Sequence, residues 1–217
     1  MTATRKVLLD YYRDLRRRYG PQKWWPADSP FEVMVGAILT QNTGWANVEK
    51  AIAALKTFGL LDPDRMLEID EETLGLAIRP AGTFRVKARR LRAFVRWFVD
   101  RGADVRKIRG LGLPRLREEL LAIPGIGPET ADSILLYAFD LPTFVADRYT
   151  WRVLTRHGLL SEDAQYDEMK ELFERSLASD RRLFNEYHAL IVKVGKEHCR
   201  AKARCERCPL EGRLPGR

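Results

Sequence analysis

Apolar residues recur along almost the whole chain at intervals of three and four, broken by Gly and Pro, and sustained period-two alternation is nearly absent. A chain patterned this way buries helical stripes, so the expected fold class is all-α. The pattern predicts helices over 5–18, from a cap at Asp28 or Ser29 through 31–39, and over 45–58, 63–69, 71–78, 86–101, 115–121 and 128–139. Three more are predicted near 147–157, 166–176 and 181–196. No solenoid repeat, low-complexity tract or flexible linker interrupts the series.

With 217 residues the chain can bury a real core, as one large domain or two small ones. Its 45% hydrophobic and 31% charged residues exclude a disordered or membrane class. No apolar run approaches the ~20 residues of a membrane span, and the opening MTATRKVLLDYYRDLRRRYG lacks a signal-peptide core. The expectation is a cytoplasmic protein without a membrane partner. A net charge of +8 suits either a polyanionic partner or a solvated basic surface.

One turn narrows that choice. In Leu121-Ala122-Ile123-Pro124-Gly125-Ile126-Gly127-Pro128-Glu129-Thr130-Ala131 two glycines flank an apolar residue between two predicted helices, and Pro128 suits the first turn of the second. Such a turn aims free backbone N–H groups along a helix dipole, a site for an anion such as a DNA phosphate. The alternative is a tight helix-turn-helix whose glycines only permit close packing. Ile123 and Ile126 read as anchors of the hairpin, and Thr130 keeps the second helix slim at the crossing.

The segment LAIPGIGPETA, followed by PTFVADRYTWRVLTRHG, resembles the signature of helix-hairpin-helix DNA glycosylases related to endonuclease III. The likeness runs from Ile38-Leu39-Thr40-Gln41-Asn42 to the cysteines near the C-terminus. It implies two helical domains with a DNA-binding cleft between them. A helical barrel over 22–132 would carry the hairpin motif (115–139), and 1–21 with 133–217 would form the second domain, ending in a cysteine loop. It also implies a monomer acting on double-stranded DNA with damaged bases.

By the same resemblance Asp147 is catalytic, stabilising an oxocarbenium-like sugar cation and directing water. Read from the residues alone, Asp147 is also a helix N-cap. Glu129 stands where members that also cleave the backbone carry a Lys. A carboxylate forms no Schiff base, so a monofunctional enzyme is expected. Gln41 stands where relatives insert a side chain into the DNA stack, and Thr83 and Phe84 are candidates for a second wedge. Hairpin contacts to DNA are expected from Ile123, Gly125, Ile126, Gly127 and Thr130. Arg85, Lys87, Arg89, Arg90 and Arg92 form a basic run expected to divide between DNA and solvent.

Trp24, Trp25, Pro26 and Trp45, with Glu129, look like the base pocket of the 3-methyladenine DNA glycosylase branch. Each Trp is equally a core residue on its own. An alkylated purine is cationic and stacks on electron-rich rings. The function expected is hydrolysis of the N-glycosidic bond of alkylated purines such as 3-methyladenine in base excision repair. The alternatives are an endonuclease III-like glycosylase for oxidised pyrimidines or mismatched bases, and a non-catalytic DNA-structure binder.

All three cysteines fall in Cys199-x5-Cys205-x2-Cys208. Iron–sulfur relatives use four, and Leu214 occupies the place of the last. His198 is a further candidate ligand. The loop therefore reads as either a [4Fe–4S] site or an empty remnant, with no cofactor required for the chemistry.

Overall fold

The computed structural model describes residues 2–214 and is all-α, with no strand among the described residues. The chain divides into two compact units, one spanning Trp25–Leu141 and the other made of the residues up to Trp24 together with those from Pro142 onward.

In the Trp25–Leu141 unit the organising element is α2 (Pro30–Leu39). Ser29 caps it by accepting from the Glu32 N–H at 3.1 Å, and Pro30 sits where no backbone donor is needed. Phe31 through Leu39 are all buried, so this helix is enclosed on every side, and it packs against α3 (Trp45–Thr57), α6 (Phe84–Asp100) and α9 (Pro128–Tyr137). Its one buried acid, Glu32, meets Lys56 of α3 at 2.8 Å. The short helices α4 (Pro63–Glu68) and α5 (Glu71–Ala77) are capped by Asp62 and Asp70 and lie on α6.

Helices α7 (Val105–Arg109) and α8 (Leu113–Leu121) come next. The sequence pattern does not predict α7, whose five residues are too few to display a helical period, although Asp104 caps it with two backbone bonds. Helix α6 also begins two residues earlier than expected. Phe84 therefore lies in its first turn, packed on Gly75 of α5.

Helices α8 and α9 form the two arms of the hairpin. Arg117 of α8 donates to both carboxylate oxygens of Asp132 on α9, at 2.9 and 3.2 Å, and Asp132 is fully buried. A bidentate bond of this kind fixes the two arms in register.

In the other unit α1 (Ala3–Tyr19) packs against α11 (Tyr166–Ser176) and α12 (Arg181–Glu197), and α10 (Arg148–Arg156) packs on α12. The core is aromatic. Phe144 stacks on Phe173 at 3.8 Å, Tyr187 meets Phe173 edge-on at 5.2 Å, and the buried Tyr187 hydroxyl donates to the Leu8 carbonyl at 2.7 Å. Glu174 secures the approach to α10 by accepting from Thr143 Oγ1 and the Phe144 N–H while pairing with Lys170.

Arg117→Met would remove the two bonds that this guanidinium donates to the buried Asp132 carboxylate, at a cost of about 3–5 kcal/mol. Urea unfolding should show a large drop in midpoint, with Asp132→Asn in the same background restoring part of it.

Candidate active site and nucleic-acid interface

The hairpin turn runs from the end of α8 to Gly127, the N-cap of α9. Ile123 and Ile126 are buried anchors, and the Ile126 N–H donates to the Ile123 carbonyl at 3.0 Å to close the turn. Gly125 has φ +87°, in the left-handed region, and a Cβ there would collide with the Arg90 side chain lying across it. Both facts require glycine. Gly127 faces open space, leaving the start of α9 approachable by a phosphate. Glu129 is exposed in that first turn.

The Gln41 side chain is docked on this hairpin. Its amide donates to the Gly125 carbonyl at 3.0 Å and to the buried Thr130 hydroxyl at 2.9 Å, while its carbonyl accepts from Arg90 at 2.5 Å. Gln41, Gly125, Thr130 and Arg90 thus form one polar hub joining the loop after α2, the hairpin and α6. Thr83 is exposed at the tip before α6 with φ +37°, whereas its neighbour Phe84 is partly buried.

Four residues of the basic run on α6 meet partners within the protein. Arg90 takes part in the hub, and Arg89 faces Glu71 at 3.7 Å. Arg92 donates to the Met66, Leu67 and Ile69 carbonyls at the end of α4, and Lys87 is buried. Both turn inward because helix ends supply carbonyls with no partner of their own. A charge run read along one dimension does not show this.

Three of the expected pocket residues come together. Trp25 and Trp45 meet edge-on at 5.1 Å, and with Pro26 they line an open cavity shared with Glu32, Glu49 and Ile52. The Trp25 ring lies over Gly36 of α2 and beside Tyr137 of α9 at 5.4 Å. Trp24 belongs to the other unit, where the Lys196 ammonium stands 5.9 Å from its ring centre. Glu129 is not among the residues lining this cavity.

Asp147 is the N-cap of α10. Its Oδ1 accepts from the Thr150 N–H at 2.8 Å and the Thr150 hydroxyl at 3.1 Å, and its Oδ2 stands 3.6 Å from Nε2 of His188 on α12. Both side chains are largely buried, at 14% and 7% exposed. Burial works to raise the Asp147 carboxyl, but His188 and the Thr150 cap outweigh it and hold the group below the ordinary carboxylate value. The result is an oriented carboxylate that keeps its charge at neutral pH. His188 is absent from the residues that the sequence singles out. Its signal is a lone imidazole ahead of the apolar run Ala189–Val192, one helix away from any motif.

Cys199, Cys205 and Cys208 line one small cavity with His198, Leu210 and Leu214. Burial pushes the Cys208 thiol up, and the two neighbouring cysteines add to that shift. Arg156 of α10 holds the loop, donating to Cys199 Sγ at 3.2 Å and to the Arg200 and Ala201 carbonyls at 2.7 and 2.8 Å. The His198 ring is engaged with the Arg204 carbonyl at 3.0 Å. Among the described residues no group of three or more His, Cys, Asp or Glu is arranged to hold a metal ion. Three thiols and an apolar Leu214 do not complete a four-thiolate cluster site.

A carboxyl held low in the folded state stabilises the fold above its unfolded value of 3.8 and loses that contribution as pH falls through the depressed folded value. Between about pH 5.5 and about pH 3 the wild type should therefore lose more urea resistance than Asp147→Asn, and the two midpoints should converge. Parallel curves would mean that Asp147 is not depressed.

Residues 35–179 match the family model described as the HhH-GPD superfamily base excision DNA repair protein. A Methanocaldococcus jannaschii protein provisionally named a DNA repair glycosylase is 48% identical over 208 residues, covering 95% of this chain and 91% of that one. Endonuclease III of Sulfolobus acidocaldarius is 32% identical over 180 residues, covering 82% and 78%. Among solved structures, Helicobacter pylori 3-methyladenine DNA glycosylase bound to 1,N6-ethenoadenine aligns with a TM-score of 0.74 at 27% identity, covering 90% of this chain and 98% of that one. A trapped endonuclease III–DNA covalent intermediate aligns at 0.82 and 22% identity, covering 99% and 97%, a likeness of fold. The chain belongs to the HhH-GPD superfamily of base excision repair DNA glycosylases.

Proposed function

We propose that this glycosylase is monofunctional and hydrolyses the N-glycosidic bond of alkylated purines such as 3-methyladenine in double-stranded DNA, acting as a monomer. The observation that carries the reading is the Trp25–Trp45 cavity, where two edge-on indoles open beside the Glu49 carboxylate. An alkylated purine is cationic, and aromatic faces with a nearby negative charge attract it by roughly 0.5–2 kcal/mol per good contact. The H. pylori protein whose fold aligns is named for 3-methyladenine, which supports the same choice.

The chemistry needs few groups. As the bond from C1′ to the base nitrogen breaks, the cationic base takes its electron pair and departs neutral, so no general acid is required. The charge left on the sugar is stabilised by a carboxylate of the kind Asp147 presents, ionised, held by the two Thr150 bonds and with His188 Nε2 beside it at 3.6 Å. A water oxygen then bonds to C1′, and its proton passes to the carboxylate and on to solvent.

The amine chemistry of strand cleavage has no donor at Glu129, which is exposed and anionic in the first turn of α9. Of the two lysines that could stand in for it, Lys193 is paired with Glu197 at 2.8 Å and the Lys196 ammonium stands 5.9 Å from the Trp24 ring centre. Hairpin residues Gly125, Ile126 and Gly127 would hold a phosphate, Gln41 and Thr83 would contact the stack, and Cys199, Cys205 and Cys208 would take no part in the reaction.

Asp147→Asn should lower base release by about 10²–10⁴-fold in single-turnover assays while preserving duplex affinity. Trp45→Ala should lower release of 3-methyladenine by about 2–30-fold with affinity for abasic DNA nearly unchanged. Borohydride added during turnover should trap no covalent complex. Efficient trapping, or full activity of Asp147→Asn, would overturn the reading.

A further inference from the structure

Lys87 is the most deeply buried cation among the described residues, 1% exposed near the start of α6, and no part of the proposed chemistry uses it. Its ammonium has three protons and meets three acceptors: the Leu39 carbonyl at 2.8 Å, the Ala81 carbonyl at 2.7 Å and Thr43 Oγ1 at 2.5 Å. No carboxylate is among these partners.

The three acceptors sit on two segments distant in sequence. Leu39 ends α2 two residues before Gln41, and Ala81 ends the 3-10 turn Arg79–Ala81 two residues before Thr83. Thr43 joins the two directly, its hydroxyl donating to the Ala81 carbonyl at 2.5 Å. Both segments lead into tips with left-handed backbone, Asn42 at φ +52° and Thr83 at φ +37°, and both tips are exposed. At the end of α2 the cation satisfies a carbonyl that the helix leaves open and complements the negative end of its dipole, and at Ala81 it adds a second donor to the Thr43 hydroxyl.

We infer that Lys87 is a positioning residue that pins the Gln41 loop and the Thr83 loop together as one rigid wedge against the base stack of damaged duplex DNA. This rests on the DNA-glycosylase reading above. An apolar side chain of similar length would fill the same space without the cost of burying a charge, so the ammonium serves the geometry of the two loops. Two tips that move independently would have to be ordered when the DNA is engaged, whereas a pinned pair is ordered in advance.

Burial lowers the Lys87 ammonium to about 8, and the like charge of Arg90 on the same helix adds to this. The end of α2 and the 3-10 turn present it only carbonyls and a hydroxyl, while Glu71 of α5 faces Arg89 and Arg92 of α6 serves the end of α4. Above about pH 8 the neutral amine has two protons for three acceptors, and the pin loosens.

The test compares affinity for a duplex carrying a tetrahydrofuran abasic analogue with affinity for the undamaged duplex, together with fluorescence of 2-aminopurine opposite the analogue. In Lys87→Met at about pH 7 the preference for the damaged duplex should fall about tenfold and the 2-aminopurine signal should drop. In the wild type the same preference should decline between about pH 7 and about pH 9.5, while in Lys87→Met it stays flat. Thr43→Val removes one acceptor and leaves the charge, and should give a smaller loss in the same direction. It carries the test if Lys87→Met does not fold. Wild-type preference and pH dependence retained in the variants would overturn the inference while leaving the enzyme reading intact. A wild type without any preference for the damaged duplex would overturn the enzyme reading itself.

Discussion

The geometry of the Trp25–Leu141 unit depends on the burial of α2 from Phe31 to Leu39. Because every residue from Phe31 to Leu39 is buried, this helix cannot slide or rotate without exposing apolar surface at about 25 cal/mol per Å². The residues just beyond its last turn are placed with the same rigidity. They include Gln41, whose side-chain amide is shared among Gly125, Thr130 and Arg90, and the Leu39 carbonyl at the helix end receives Lys87. The hairpin, the exposed loop tips and the basic helix α6 are thereby referred to a single fixed point. Removing the Gln41 side chain would take a partner from the buried Thr130 hydroxyl and from Arg90 at once, so the bonds of the hub are coupled.

In the other unit the same economy is seen on a smaller scale. Asp147 is at once the cap of α10 and the carboxylate of the proposed chemistry. The cap bonds occupy Oδ1 and leave Oδ2 to His188. A residue that a helix needs for its own start is hard to displace, and its rotamer is set before any substrate arrives. The aromatic core of Phe144, Phe173, Phe184 and Tyr187 fixes the segment leading into that cap.

The features legible in the sequence are those governed by neighbours along the chain. Ser29-Pro30 and Gly127-Pro128 mark helix starts by cap chemistry, the glycine pair marks the hairpin, and Asp147 announces itself as a cap. The features that are not legible depend on partners far away. Lys87 looks like one more charge in a basic run until Leu39 and Ala81 are brought to it across 48 and 6 residues. His188 acquires meaning only from Asp147 on another helix. Trp24 and Trp25 are adjacent in the chain yet belong to different units, and the cavity lined by Trp25, Pro26 and Trp45 forms only when α2 and α3 are packed together. The short helix α7 is invisible because period needs length.

The central claim is that this chain releases an alkylated purine by water alone. The most direct measurement is mass spectrometry of both products from duplexes carrying 3-methyladenine, thymine glycol or a mismatched thymine, incubated with the wild-type protein in ¹⁸O-labelled water. The account predicts free 3-methyladenine, released faster than either pyrimidine, and an intact strand whose abasic sugar carries the label. Faster excision of thymine glycol, or a strand cut at the abasic site without added lyase, would contradict it.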